Sequence, residues 1–243
     1  MLAVEDLSVA YGGVRAVSAL SFTVEPGEVL ALLGPNGAGK TSALRAVSGL
    51  VRHAGSVTVD GSPVDHPAAV RRAGVAHIPQ GRGLFRRLTV AQNLSLGAYG
   101  ERAGAVREAR ARAAAHIPEL ETWSDRRVGS LSGGEQALVA LGRLLAARPR
   151  YALLDEPALG LSPVAVDRLY DEAATLAGSG VGIVLVEQYA SRALALADRV
   201  VVLDRGRPTF SGPAAEAGAA DDLVAAYLGG RRRKTAHDEG GLP

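Results

Sequence analysis

Apolar residues in this chain come in two kinds of pattern. Near the N-terminus they alternate with polar ones, as in Val4 to Val9 and Leu20 to Val24, which predicts half-buried strands. Further on they run without interruption. Val29-Leu30-Ala31-Leu32-Leu33, Tyr151 to Leu154 and Val181 to Val186 predict strands of a sheet covered on both faces, and Val200 to Leu203 a further strand. Residues 55–60 and 74–79 read as short strands that end in loops. Between about 89 and 147 the period becomes helical. Thr89 is placed to cap a helix over Val90 to Ala98, residues 101–115 suit an exposed helix with a narrow buried face, and Leu138, Leu141, Leu144 and Leu145 carry helical spacing. The expectation is an α/β core with an N-terminal antiparallel β part and a helical insertion at about 88–148, within a domain spanning 1–230. Residues 231–243, opening Arg-Arg-Arg-Lys, read as a mobile tail, with anionic lipid or RNA contact as the alternative.

The most specific chemistry lies just after the first uninterrupted run. Gly34-Pro35-Asn36-Gly37-Ala38-Gly39-Lys40-Thr41 fits G-x-x-x-x-G-K-[ST] between a strand and a helix start at Ser42. Glycines let backbone N–H groups converge on an anion, and the helix N-terminus adds partial positive charge. Lys40 can reach β- and γ-phosphates, and the Thr41 hydroxyl can bind Mg²⁺. The chain is therefore expected to bind a nucleoside triphosphate.

A second motif ends the Tyr151–Leu154 run: Asp155-Glu156. At the C-terminal end of a strand, Asp155 can hold Mg²⁺, and Glu156 can act as general base on a water in line with the γ-phosphate. A third, Leu131-Ser132-Gly133-Gly134-Glu135-Gln136, offers a hydroxyl and N–H groups at another helix start; Ser132 with Glu135 also spells a capping box, and both readings can hold together.

Composition narrows the classes. Apolar residues at 47% are ample for a core, and the absence of cysteine rules out disulfides, thiolate metal sites and cysteine nucleophiles, which suits a reducing cytosol. A net charge of +2 is too small to argue for nucleic acid. No apolar run approaches the roughly 18 to 20 residues of a membrane span, and the N-terminus lacks the order of a secretory signal. A soluble chain, or one peripheral through a partner, is expected.

The three motifs in this order resemble the ATP-binding cassette (ABC) ATPases, a likeness covering nearly all of residues 2–229. The resemblance implies a phosphate-loop ATPase core, ATP and Mg²⁺ as ligands, and head-to-tail closure of two cassettes on membrane permease subunits, at the cytoplasmic, inner face of the cell membrane. Each cassette would offer Ser132, Gly133, Gly134 and Glu135, or their equivalents, to the γ-phosphate held by the other. It implies stacking of Tyr11 on adenine and a Mg²⁺- or water-contacting, permease-sensing role for Gln80, whose plainer readings are a strand tyrosine and a loop amide. Docking of the permease near residues 80–99 follows, with Arg82, Arg86 and Arg87 as contacts or as ordinary surface arginines. Two positions depart from the family pattern: Gln188 stands where a switch histidine is usual, and Ser162 where an aspartate couples the two sites. Glutamine cannot carry the charge of an imidazolium, so two equal, fully active sites are not expected.

Leu185-Val186-Glu187-Gln188, Leu159-Gly160-Leu161, Gly81 to Phe85 and Ala226-Tyr227-Leu228-Gly229 are similar to ATPase subunits of branched-chain amino-acid importers, nearest the shorter of the two. Glutamate is frequent there where Gln80 stands. This implies a second, different ATPase as partner, with a homodimer as alternative, and indirectly a substrate-binding protein; urea or short amides are the alternative cargo. A soluble cassette acting on DNA or ribosomes competes, but usually carries tandem cassettes or a long coiled-coil insert. A GTPase would need an N-K-x-D run, which is missing.

Overall fold

Each uninterrupted apolar run is divided between two cores by the pleat. In the strand Val29–Leu33, residues Val29, Ala31 and Leu33 face one cluster of buried side chains and Leu30 and Leu32 the other. Ile183 and Leu185 part from Val184 and Val186 in the same way, as do Val200 and Val202 from Val201 and Leu203. Alternate side chains of a strand point to opposite faces, so a strand buried on both sides must be apolar throughout.

The computed structural model describes residues 1–100, 102, 104–187 and 190–219. Its strands are β1 (Leu2–Tyr11), β2 (Val14–Val24), β3 (Val29–Leu33), β4 (Ala54–Val59), β5 (Ser62–Pro63), β6 (Val75–Ile78), β7 (Tyr151–Asp155), β8 (Gly182–Val186), β9 (Arg199–Asp204) and β10 (Arg207–Pro213). Its helices are α1 (Lys40–Val47), α2 (Pro67–Arg72), α3 (Val90–Ser95), α4 (Ala105–His116), α5 (Glu119–Thr122), α6 (Gly133–Ala146), α7 (Pro163–Gly178), α8 (Ala190–Leu196) and α9 (Ala214–Ala219). Gln188, residues 226–229 and the tail at 231–243 lie outside the described residues.

Two sheets form. An antiparallel one has the order β2-β1-β4-β5. The other has the order β10-β9-β3-β8-β7-β6, in which all neighbours are parallel except β9 and β10. One core joins the antiparallel sheet, α1 and one face of the six-stranded sheet; the other joins its opposite face to α3, α4, α6 and α7. Helices α3 to α6 stand between β6 and β7 in the chain, as the helical insertion was expected to.

Local chemistry sets several boundaries. The Thr89 side chain accepts from Gln92 N–H while the Gln92 side chain accepts from Thr89 N–H, a complete capping box. The helix predicted over Val90 to Ala98 ends at Ser95 and finishes as a 3₁₀ turn, Leu96–Ala98. Helix α4 buries only Ala105, Ala109 and Ala113, the narrow face expected of that stretch. Helix α1 begins at Lys40, two residues before the expected start at Ser42, so Lys40 and Thr41 sit in its first turn. The edge strand β10 escapes sequence patterning because its exposed residues show no apolar alternation. Among the described residues no helix is long and apolar enough to cross a membrane.

Candidate functional site

Parallel strands deliver the loops that follow them to one edge of the sheet, where open α/β sheets place ligand sites. Strand β3 leads into Gly34–Gly39, β6 into Gln80, and β7 ends on Asp155 with Glu156 next. β7 and β3 are separated only by β8. The result is an open cleft of roughly 470 Å³ lined by Ala16, Asn36 to Ser42, Gln80, Glu156 and Leu159.

Close backbone approach shapes the phosphate loop. Gly39 has φ +105°, and a Cβ there would lie 2.3 Å from the Ala16 carbonyl oxygen; one on Gly34 would lie 2.3 Å from Leu203 O. Any other residue would have to part the loop from β2 or from β9. The Lys40 ammonium donates to Gly34 O at 2.7 Å and Pro35 O at 3.1 Å, which holds it over the loop. Lys40 is buried, and burial lowers its pKa against the opposing pull of Glu156, Asp155 and Glu187.

Thr41 and Asp155 meet across the cleft: Thr41 Oγ1 donates to Asp155 Oδ1 at 3.1 Å. Asp155 is almost wholly buried, and its Oδ2 has no hydrogen bond of normal geometry. Burial pushes its pKa up and Glu156 adds to the rise, while the Thr41 hydroxyl, the Gln80 backbone N–H and Lys40 pull the other way. Beside it, Gln80 Nε2 donates to Glu156 Oε2 at 2.8 Å. Glu156 has φ +48°, an unusual conformation for a non-glycine residue, and its N–H is fixed by Val186 O at 2.9 Å.

The structure thus gathers Gly34, Pro35, Asn36, Gly37, Ala38, Gly39, Lys40, Thr41, Ser42, Gln80, Asp155 and Glu156 in one neighbourhood. It does not bring Ser132, Gly133, Gly134 or Glu135 to the cleft lining. These open α6, where Ser132 Oγ accepts from Glu135 N–H and Ser132 N–H donates to Glu135 Oε2 at 2.7 Å, the capping box the sequence spelled. Gly134 packs against Ala165, where a Cβ would come within 2.9 Å. Tyr11 stands at the end of β1 beside the Gly12-Gly13 turn, two-fifths exposed and outside the lining.

Sequence reasoning missed three contributors. Ala16 closes the loop from β2, and nothing in its type signals this. Glu187 is buried and accepts from Ala158 N–H at 3.3 Å, bracing the turn after Glu156; an acid directly after an apolar strand was the available signal. Asn93, wholly buried, accepts from Phe85 N–H and donates to Phe85 O and Thr89 O, pinning the loop between Gln80 and α3.

A sheet whose one edge presents an anion-cradling loop, an acid-tipped strand and a glutamine makes the protein a phosphate-loop nucleoside triphosphatase. Comparison narrows the class. The ABC transporter family matches residues 17–159. The high-affinity branched-chain amino acid transport ATP-binding protein BraG of Pseudomonas aeruginosa is 36% identical over 95% of this chain and 100% of its own length. The lipopolysaccharide export system ATP-binding protein LptB of Escherichia coli K12 is 35% identical over 94% of this chain and 97% of its own. A nucleotide-free ATP-binding cassette superposes with a TM-score of 0.84 over 93% of this chain and 98% of its own, at 22% identity, and so shares the fold. The chain belongs to the ABC transporter family; it binds ATP and is an ATPase coupled to transport.

Proposed function

We propose that the chain is the ATP-hydrolysing subunit of an importer for branched-chain amino acids, held to the cytoplasmic face of the membrane by permease subunits and paired with a second, different ATPase. The near end-to-end likeness to BraG carries this reading. The likeness to LptB, almost as high, favours a second one, an export ATPase.

The residues support a division of labour. Backbone N–H groups of Gly37 to Thr41 and the Lys40 ammonium hold the β- and γ-phosphates. Mg²⁺ fits the corner made by Thr41, Asp155 and Gln80: every donor is a hard oxygen, and Asp155 Oδ2 is buried without a hydrogen bond of normal geometry. Among the described residues no group of three or more acidic or imidazole side chains is placed to hold a metal, so Thr41, Asp155 and Gln80 are the side chains that would hold the cation, with the nucleotide's phosphates. The cation would supply neutralisation of charge on the transferring phosphoryl group. Glu156 accepts the proton of a water attacking the γ-phosphorus, the bond to the β-phosphate oxygen breaks, and ADP and phosphate leave. Gln80 fixes the Glu156 carboxylate, and Gln188 takes the place of the switch histidine. Tyr11 stacks on the adenine. Ser132 to Glu135, off the cleft in this chain, meet the γ-phosphate on the partner cassette when the two close.

The test is affinity purification of the chain from native membranes in mild detergent, with identification of the chains that accompany it. A permease pair with a second ATPase and stimulation of hydrolysis by a binding protein loaded with leucine supports the importer. Recovery with a lipid-export assembly supports the second reading, and recovery with ribosomes or DNA overturns both.

A further inference from the structure

The loop that carries Gln80 is gripped from two sides. Gly81, Arg82 and Gly83 have φ of +77°, +70° and +57°, three successive residues in left-handed space, one of them not glycine. This tight turn sends the carbonyl groups of 82 and 83 toward α6. There the Arg143 guanidinium receives both, donating from Nη1 to Gly83 O at 2.7 Å and from Nη2 to Arg82 O at 3.3 Å. On the opposite side Arg82 Nη2 donates to Leu159 O at 3.1 Å, in the turn that follows Glu156. Gln80 itself bonds Glu156. Arg143 lies in the helix that opens at Ser132, ten residues after Gly133, so one rigid α-helix of 14 residues joins the two.

We infer that Arg143 is a positioning residue for hydrolysis: it ties the setting of α6, and with it of the Ser132 end, to the place of Gln80 at Glu156. The planar fork of a guanidinium can hold two carbonyls in one geometry, which an ammonium cannot. Any tilt of α6 that loosens this grip frees residues 80–83 to withdraw Gln80 from Glu156. The arrangement makes hydrolysis answer to the position of a helix whose far end lies outside the lining of the chain's own cleft. The inference rests on the roles given to Gln80 and Glu156 under Proposed function.

A double-mutant cycle tests it, in the assembly purified through this chain, with hydrolysis measured at saturating ATP and nucleotide affinity measured separately. Arg143→Ala is expected to slow turnover about tenfold while leaving nucleotide affinity within about twofold. Arg143→Lys, which keeps the charge but not the fork, is expected to fall between the two. In a Gln80→Ala background neither change should slow turnover further, because the residue acts through Gln80. Equal slowing by Arg143→Ala in both backgrounds, the behaviour of a merely structural side chain, overturns the inference and leaves the role of Gln80 standing. Wild-type turnover of Gln80→Ala alone removes Gln80 from the chemistry and the inference with it. If Arg143→Ala does not fold, the same cycle with Arg143→Lys decides between these outcomes.

Discussion

Gln80 and Glu156 are 76 positions apart in sequence, yet their side chains meet at 2.8 Å, joining the loop after β6 to the loop after β7. The two strands are paired in register, Ile78 opposite Leu154, so the contact follows directly from sheet topology. A carboxylate fixed from one side by an amide has its other oxygen free to meet a water. Changing Glu156 to Gln should preserve ATP binding and lower turnover by about 10²- to 10⁴-fold, the usual range for a lost general base. Hydrolysis by the native assembly at saturating ATP checks this; wild-type turnover takes Glu156 out of the reaction.

Lys40 should matter to affinity. Its ammonium sits over the loop on two carbonyl oxygens, buried and next to three carboxylates in charge terms. Loss of a charge-assisted bond costs about 1.5–3 kcal/mol, so Lys40→Ala is expected to weaken nucleotide binding by about 10- to 100-fold. Equilibrium binding of a fluorescent ATP analogue measures it, and undiminished affinity would contradict the phosphate assignment.

Asn93 should matter to stability. It is wholly buried and holds three hydrogen bonds across the segment 85–89. Asn93→Ala leaves the Phe85 N–H without its partner, an expected loss of about 2 kcal/mol. In a chain of this size that lowers Tm by about 4 to 8 °C. A thermal melt unchanged within a degree would show that the loop is held by other means.

His77 gives the fold a pH dependence. Its Nδ1 lies 2.8 Å from Ser48 Oγ, its Nε2 is buried without a partner, and burial, helped by Arg45, lowers its pKa to about 4. Below pH 6.5 the unfolded chain takes up a proton that the folded chain refuses. The contribution is whole above about pH 6.5 and is lost as pH falls toward about 4, at up to about 1.4 kcal/mol per pH unit. Urea unfolding at pH 7, 5.5 and 4.5 should show a shallower fall in His77→Gln than in the wild type; identical slopes would exclude this histidine as the source.

Legibility in the sequence followed burial and local chemistry. The runs at Val29 and Val181 are apolar on both faces because both faces are covered, so they could be read without knowing what covers them. Thr89 and Ser132 could be read because a cap is a contact between residues three apart. β10 could not, since an exposed edge strand is held by backbone bonds to β9 that no side-chain pattern records. Nor could the closeness of Ala16 O to Gly39, which arises from chain segments 23 residues apart and a side chain that Gly39 lacks. Arg143 read as part of a helix; only the fold turns it toward residues 60 and 61 positions earlier.

Asp155 closes β7 with one oxygen bonded to Thr41 and the other buried and unpartnered, in surroundings that raise its pKa. Such an oxygen is contested ground for positive charge. A proton could take it, and so could the divalent ion proposed above. On the proposed assignment of Asp155 to Mg²⁺, acidification would compete with metal loading at this one carboxylate, and the magnesium needed for turnover should climb as the surrounding pH drops.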